Sequence, residues 1–163
     1  MHEDDNTLAL AAAAGLVAGM RSMSAPAFVS RGLSRGPGRR GDTGAAALLA
    51  SRTARRALAG LAVGEMIADK TPYIPARIAP LSLAGRALMG ALSAAAIAGR
   101  RRQAPLAAVA VGAASAVAST FVSYHLRKAA GSSTKAPDPA IALAEDAIVL
   151  AAGSQLADGI ARF

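Results

Sequence analysis

Two carboxylates and an ammonium group close an apolar segment of this chain. Glu65 and Asp69 lie four residues apart, and Lys70 follows directly. At 3.6 residues per turn, this spacing places both carboxylates on one face of a helix. The preceding residues 57–64 are only Ala, Leu, Val and Gly. A charge near the middle of a bilayer costs about 2.5 to 3.5 kcal/mol on insertion scales, so these groups would need a partner, water or a function there.

Two other polar groups interrupt apolar segments. Arg21 and Ser22 precede Pro26, which removes a helix hydrogen bond and crowds the carbonyl of Ser22. We therefore expect a kink or a short unwound segment near Arg21, of the kind that persists at membrane depth only where protein or water satisfies the backbone. The third group, Glu145 and Asp146, comes early in the last apolar segment.

The cationic and acidic groups are expected to meet inside a helical bundle. GxxxG pairs at 15–19 and 60–64 stand just before Arg21 and Glu65. Small residues of this kind let helices approach closely, so helices meeting at these two faces would bring Arg21 next to Glu65. We expect Arg21 to pair with Glu65 or Glu145, either as a structural counter-ion or as part of a binding site.

The membrane depth of the remaining acids is predicted from their position along the chain. Asp69 and Lys70 are expected at the outer membrane interface, with Glu65 deeper. Glu145 and Asp146 point about 100° apart on a helix, so one can face the bundle while the other reaches the interface. The helix dipole favours both acids near a helix start, which is the plain structural explanation for them.

The residue types argue against catalysis and against a metal or cofactor. The chain has no Cys, which excludes a thiol nucleophile, a thiolate metal site and a disulfide framework. Its two histidines, His2 and His125, do not form a two-His metal motif, and His125 is expected at the end of a span. We expect no catalytic residue and no cofactor, and an enzyme is the least favoured class.

Composition places the chain in a membrane. It is 53% hydrophobic but only 3% aromatic and 17% charged, with a mean hydropathy of +0.37. Soluble domains carry about 25% charge, whereas small residues suit helix packing in lipid. The net charge of +8 is carried by clusters between apolar runs, without interleaved aromatic residues. That distribution is a topology signal and argues against nucleic acid as a partner.

The expected fold is all-α, a polytopic transmembrane helical bundle that forms one domain over residues 1–163. Apolar segments of this length cross about 30 Å of hydrocarbon. The positive-inside bias puts the Arg-rich segments in the cytoplasm, with the acidic N-terminus outside, and so predicts a multi-pass inner-membrane protein. About five spans are expected, with an Arg/Gly-rich loop at 30–44; the spans are 7–29, 45–69, 81–99, 104–124 and 140–160.

Two short echoes suggest an internal repeat. Phe-Val-Ser at 28–30 recurs at 121–123, and the segment 61–65, which ends in Glu, is echoed by 141–145. The order is the same in both halves. With the third span as a connector, spans 1–2 and 4–5 would form inverted two-helix repeats, as in many transporters.

Several of these residues carry a family resemblance. Gly-Met-Arg-Ser at 19–22, Gly-Glu-x-x-Ala-Asp-Lys-x-Pro at 64–72, the helix from Gly85 to Gly90 and the acids at 145–146 resemble a family of small bacterial membrane proteins classed as a domain of unknown function. The resemblance covers about residues 8 to 160. It implies an integral membrane location and brings no activity with it.

These observations lead to three hypotheses. The first is a small transporter or channel-like protein that binds a small solute, an ion or a lipid headgroup at an intramembrane charged site, with a homo-oligomer to enclose the pathway. Its candidate residues are Arg21, Ser22, Pro26, Glu65, Asp69, Lys70, Glu145 and Asp146. The second is a scaffold protein whose buried ion pairs only set helix packing. The third is a soluble, basic, Ala-rich helical bundle.

Overall fold

The computed structural model describes residues 2–36, 42, 44–69, 78–133 and 138–162, and all regular secondary structure within these ranges is α-helical. The expected all-α class is thereby confirmed. The helices are α1 (His2–Met20), α2 (Ser24–Arg35), α3 (Gly44–Ala50), α4 (Arg52–Ala68), α5 (Pro80–Arg101), α6 (Pro105–Ser133) and α7 (Asp138–Ile160).

Membrane character follows from the length and composition of the helices. Within the described ranges, three helical segments are long and apolar enough to cross a bilayer, Pro80–Arg101, Pro105–Gly131 and Ala140–Ile160. The apolar part of α1, Asp5–Met20, is shorter. The count of five spans is therefore not confirmed.

The α1 and α2 helices form a hairpin. Arg101 Nη1 donates to Thr7 Oγ1 (3.1 Å) and Arg100 Nη2 donates to the carbonyl of Leu33 (3.0 Å), so the start of α1 and the end of α2 lie together at one end of α5. The expected single span 7–29 is thus wrong. We call this end of the bundle the Arg100 end and the opposite end, where the hairpin turns, the Arg21 end.

The reversal follows from the local sequence. Residues 21–23 belong to neither α1 nor α2, as the expected break near Arg21 requires. Pro26 lies in the first turn of α2, where backbone N–H groups have no intrahelical partner, so its missing N–H costs no hydrogen bond. A proline in this sequence position predicts a break, but it does not set the angle between the two helices.

Because the hairpin reverses, the expected placement of the N-terminus is also wrong. We expected it on the side opposite the Arg-rich segment that follows α2. Thr7 and Leu33 instead contact adjacent arginines of α5 and therefore lie at the same end of the bundle.

The predicted helix 45–69 is divided at Ser51. The Ser51 side chain accepts a hydrogen bond from the backbone N–H of Ala54 at 3.1 Å, which caps α4 and ends α3. The α4 helix packs on α2 at the edge of the bundle, with only Ala62 buried. A Cβ atom added at Gly60 or Gly64 would meet no other described element within 4 Å, so the two GxxxG faces do not meet and this expectation is wrong.

Small residues bring α1, α5 and α6 into close contact. A Cβ atom at Gly15 or Gly19 would overlap the carbonyl oxygens of Gly112 and Ala116 in α6, and Gly90 of α5 packs on Gly112 in the same way. The order of the α1–α6 contacts shows that these helices run in the same direction. Inverted repeats would require opposite directions for this pair, so the repeat is not confirmed.

Candidate binding site at the tip of the hairpin

The start of α2 donates three hydrogen bonds to one carboxylate. Glu65 Oε1 accepts from the backbone N–H of Ser22 (2.8 Å) and from Ser22 Oγ (2.7 Å), and Glu65 Oε2 accepts from the backbone N–H of Met23 (2.8 Å). The first N–H groups of a helix lack intrahelical partners and carry the positive end of its dipole. The turn therefore forms an anion seat, which we define as the three donors of Ser22 and Met23, and Glu65 fills it.

The end of α1 is capped by side chains from α5 and α6. Arg86 Nη1 donates to the carbonyls of Gly19 (2.7 Å) and Met20 (3.1 Å), and Thr120 Oγ1 donates to Gly19 (3.1 Å). Arg86 is only 6% exposed, so its guanidinium lies inside the bundle. Buried donors thus satisfy the carbonyls that the break releases, which is what a broken helix inside an apolar bundle requires.

The guanidinium of Arg21 joins two acids. Its Nε and Nη2 atoms lie 2.9 Å and 2.8 Å from Asp146 Oδ1, and its Nη1 atom pairs with Asp69 Oδ2. The Arg21 side chain is 1% exposed. The expected pairing with Glu65 or Glu145 is wrong because Asp69, one helical turn beyond Glu65, and Asp146, adjacent to Glu145, occupy these positions.

A second arginine extends the cluster. Arg127 Nη1 lies 3.0 Å from Glu145 Oε2 and 3.6 Å from Asp69 Oδ2. Asp69 is therefore shared by two guanidinium groups, and its side chain is 10% exposed. Glu145 and Asp146 do not divide between bundle and interface, since each turns toward a different arginine of the same cluster.

The cluster lies below the helix ends at the Arg21 end. Pro80 is six residues before Arg86, and Asp138 is eight residues before Asp146, which at 1.5 Å per residue places the cluster about 9 to 12 Å from these ends. The cluster contains four acids and three arginines, so the net charge of its described residues is −4 + 3 = −1. They are Glu65, Asp69, Glu145, Asp146, Arg21, Arg86 and Arg127.

A cavity with a largely apolar wall and several polar side chains adjoins the cluster. It has a volume of about 260 Å³ and opens between the hairpin turn, α4 and α5. Its polar lining comes from Ser22, Glu65, Asp69, Ser82 and Arg86, and methionines complete the wall. A small solute that enters this cavity would reach the anion seat from the side of α5.

Most of the expected site residues are brought together. Six of the eight, Arg21, Ser22, Glu65, Asp69, Glu145 and Asp146, belong to one hydrogen-bonded and ionic cluster. Pro26 shapes the start of α2 and adds no polar atom, and Lys70 lies outside the described residues. Sequence reasoning missed Arg86 and Arg127. The signal for Arg86 was present, because it is the one charge within the predicted span 81–99.

In the part of the chain that the structure describes, no group of three or more His, Cys, Asp or Glu residues could hold a metal ion. The four acids of the cluster instead face arginines and backbone donors. Comparison of the chain with protein-family models, with curated proteins and with solved structures finds no match.

Proposed function

We propose that this chain is a multi-pass protein of the bacterial inner membrane that binds a small anionic solute at the anion seat and moves it across the bilayer. One observation carries the proposal: two backbone N–H groups and a hydroxyl converge within 2.7 to 2.8 Å on a carboxylate beside a buried arginine. Helix starts of this kind bind carboxylates and phosphates, and in transporters with broken helices they point at the anionic group of the substrate.

The present occupant of the seat comes from a helix that is weakly held. Glu65 belongs to α4, which packs on α2 and α3 and buries only Ala62. Leu61, Val63 and Ile67 of α4 are each more than half exposed. A helix with so little buried apolar surface is held mainly by the polar contacts of Glu65 and Asp69, so it can leave the site at lower cost than α5 or α6.

Displacement of α4 changes the sign of the net charge at the site. With Glu65 and Asp69 in place the cluster carries −1, and without them three arginines face two acids, which gives +3 − 2 = +1. A carboxylate or phosphate can then take the position of Glu65. Exchange between the α4 acids and a solute anion is the step that alternating access needs, because it couples occupancy of the site to the position of a helix.

The orientation follows from the distribution of arginines. The Arg100 end carries Arg31, Arg35, Arg52, Arg55, Arg56, Arg100, Arg101 and Arg102, which supports a cytoplasmic position for this end. The hairpin then enters from the cytoplasmic side and turns inside the bundle.

The proposal includes a homo-oligomer. The outer face of α4 presents Gly60 and Gly64, and a Cβ atom added at either glycine would meet no other described element within 4 Å. Residues of this spacing let two helices meet closely in lipid, and a second copy would enclose the side of α4 that the single chain leaves open. Crosslinking of Leu61→Cys in membranes tests this contact.

The ion pairs and hydrogen bonds within the cluster favour the scaffold alternative. The broken backbone and the four acids of the cluster have partners within the protein, an arrangement that would fix helix register without any ligand. The two functions differ in one respect. The transport proposal requires that an added anion compete with Glu65, and the scaffold function does not.

The test combines binding with helix position. The chain has no Cys, so nitroxide labels at Leu61→Cys on α4 and Leu88→Cys on α5 report their separation by pulsed electron paramagnetic resonance. Succinate and inorganic phosphate are the probes. We expect at least one to shift the distance distribution and to be taken up by proteoliposomes, and we expect Glu65→Gln to raise its affinity because the internal competitor is weakened.

Asp158→Asn is the matched control, because Asp158 is 60% exposed and lies at the other end of the bundle. If neither anion moves α4 or binds, and Glu65→Gln only lowers stability, the scaffold function is correct. A loss of anion binding in Glu65→Gln would show that Glu65 belongs to the receptor and contradict the exchange mechanism.

A further inference from the structure

A second cavity lies between α2, α4 and α7, on the side of the bundle away from α5. It is a groove of about 560 Å³ whose apolar wall is formed by Ala27, Phe28, Ala59, Ala62, Val63, Met66 and Leu150. Val63 is 57% exposed and Leu150 49%, so the groove is open along its length. In a bilayer such an opening faces the acyl chains.

The charges of the groove are confined to one end. Arg31, Arg35 and Arg55 line it at the Arg100 end, and Arg35 pairs with Asp158 at 3.3 Å. Among the described residues, neither Arg31 nor Arg55 has an acidic partner. Three arginines and one aspartate leave a charge of +3 − 1 = +2 at the mouth.

The length of the groove matches one leaflet. Its α2 wall runs from Ser24 near the hairpin turn to Arg35, which is about 16 Å at 1.5 Å per residue. The hydrocarbon core of a bilayer is about 30 Å thick, so one leaflet is about 15 Å deep. An acyl chain that enters beside the arginines would therefore end near Ser24.

We propose that this groove binds one phospholipid with an anionic headgroup, taken from the leaflet at the Arg100 end. One acyl chain lies along Ala59, Ala62 and Met66, and the phosphate contacts Arg31 and Arg55. Charge complementarity selects the headgroup, since arginines at the level of the membrane surface attract anionic lipids. Burial of the chain along the groove supplies the apolar contribution.

This site is separate from the anion seat. Its arginines lie at the Arg100 end, whereas the cluster around Arg21 lies at the opposite end of the hairpin. The lipid-site proposal does not depend on the transport proposal, and each can be tested without the other.

The test measures retention of two phospholipids that have identical acyl chains, phosphatidylglycerol and phosphatidylethanolamine, by native mass spectrometry of the purified protein. We expect the wild type to retain phosphatidylglycerol at least tenfold better. The double variant Arg31→Gln/Arg55→Gln is expected to lose about thirty-fold in phosphatidylglycerol affinity. Arg56→Gln, on the same helix but outside the groove, is the control and is expected to change retention less than threefold.

A second pair of variants tests the acyl contact. Ala59 lines the groove and Ala57 does not, and both are exposed positions on α4. Ala59→Phe is expected to abolish saturable lipid retention, whereas Ala57→Phe is expected to keep it. Equal retention of the two lipids, or an equal effect of Arg56→Gln and the double variant, would overturn the proposal. Retention unaffected by Ala59→Phe but displaced by inorganic phosphate would also overturn it and identify a simple anion site.

Crosslinking on the unmodified protein guards against misfolded variants. Phosphatidylglycerol with a photoreactive group in its acyl chain is expected to label the peptide that contains Ala62, Val63 and Met66. Labelling that is spread evenly over α5, α6 and α7 would contradict a bound lipid in the groove.

Discussion

Glu65 accepts a hydrogen bond from the backbone N–H of Met23 at 2.8 Å, across 42 positions of the sequence. This contact joins the end of α4 to the start of α2 and closes the only break in the hairpin. The Glu65 carboxylate therefore caps the start of α2 and, together with Asp69, holds α4 on the bundle.

Loss of the Glu65 carboxylate is expected to lower the stability of the protein. Glu65→Ala removes three hydrogen bonds to a charged acceptor and leaves two N–H groups of the turn to find other partners. We expect a loss of about 1.5 to 3 kcal/mol, measured by denaturant titration in detergent. Asp158→Ala, which removes an exposed acid, is expected to cost less than about 1 kcal/mol. Equal losses in the two variants would show that the Glu65 contacts contribute nothing beyond a surface charge.

The ion pairs of Arg21 and of Arg35 are expected to contribute very different amounts to the free energy of unfolding. Arg21→Ala removes a buried guanidinium from between Asp69 and Asp146, which costs about 3 to 5 kcal/mol. Arg35→Ala breaks a pair whose side chains are 48% and 60% exposed, which is worth about 0 to 1 kcal/mol. The same denaturant titration measures both. The reversed pair Arg21→Glu/Glu65→Arg is not expected to restore stability, because Glu65 is not the partner of Arg21.

Two glycines of the chain are expected to respond oppositely to alanine. A Cβ at Gly19 would overlap the carbonyl of Ala116, whereas nothing lies within 4 Å of Gly64. Gly19→Ala is expected to destabilise by about 1 to 3 kcal/mol through overpacking. Gly64→Ala is expected to be neutral or to stabilise by up to about 1 kcal/mol, since alanine favours the helix. Thermal unfolding in detergent distinguishes these effects, and a destabilised Gly64→Ala would place another helix against α4.

The hairpin topology makes a labelling prediction. Asp5→Cys, Arg35→Cys and Arg102→Cys lie at exposed positions of the Arg100 end, and Lys128→Cys lies at an exposed position of the other end. In this Cys-free chain, an impermeant maleimide is expected to label the first three from one side of the membrane and the fourth from the other. Labelling of Asp5→Cys and Arg35→Cys from opposite sides would show that 7–29 crosses once.

Much of the candidate site could be predicted because charges stand out in an apolar chain. Charged residues such as Arg21, Glu65 and Asp146 are rare in the apolar segments, and each costs free energy to place in lipid without a partner. They are therefore expected to pair with one another inside the bundle. The break near Arg21 was also predictable, since Pro26 cannot donate the helix hydrogen bond to the carbonyl of Ser22 and so disfavours one continuous helix through this segment.

The partners within the cluster could not be predicted. Glu65 and Asp69 share a helix face, and Glu145 and Asp146 are adjacent, so spacing alone does not decide which acid of each pair meets Arg21. The answer depends on how far α4 and α7 are shifted along the hairpin, and Arg127 takes the acid that Arg21 leaves.

The sequence by itself determined that the chain is helical, that it is apolar enough for a membrane and that its polar groups are concentrated at a few positions. Those properties follow from local composition and periodicity. Only the tertiary structure decided that α2 folds back along α1 and that Gly15 and Gly19 pack on α6 rather than on α4. The direction of a chain after a break, and the helix that fills a small-residue face, depend on contacts between residues far apart in sequence.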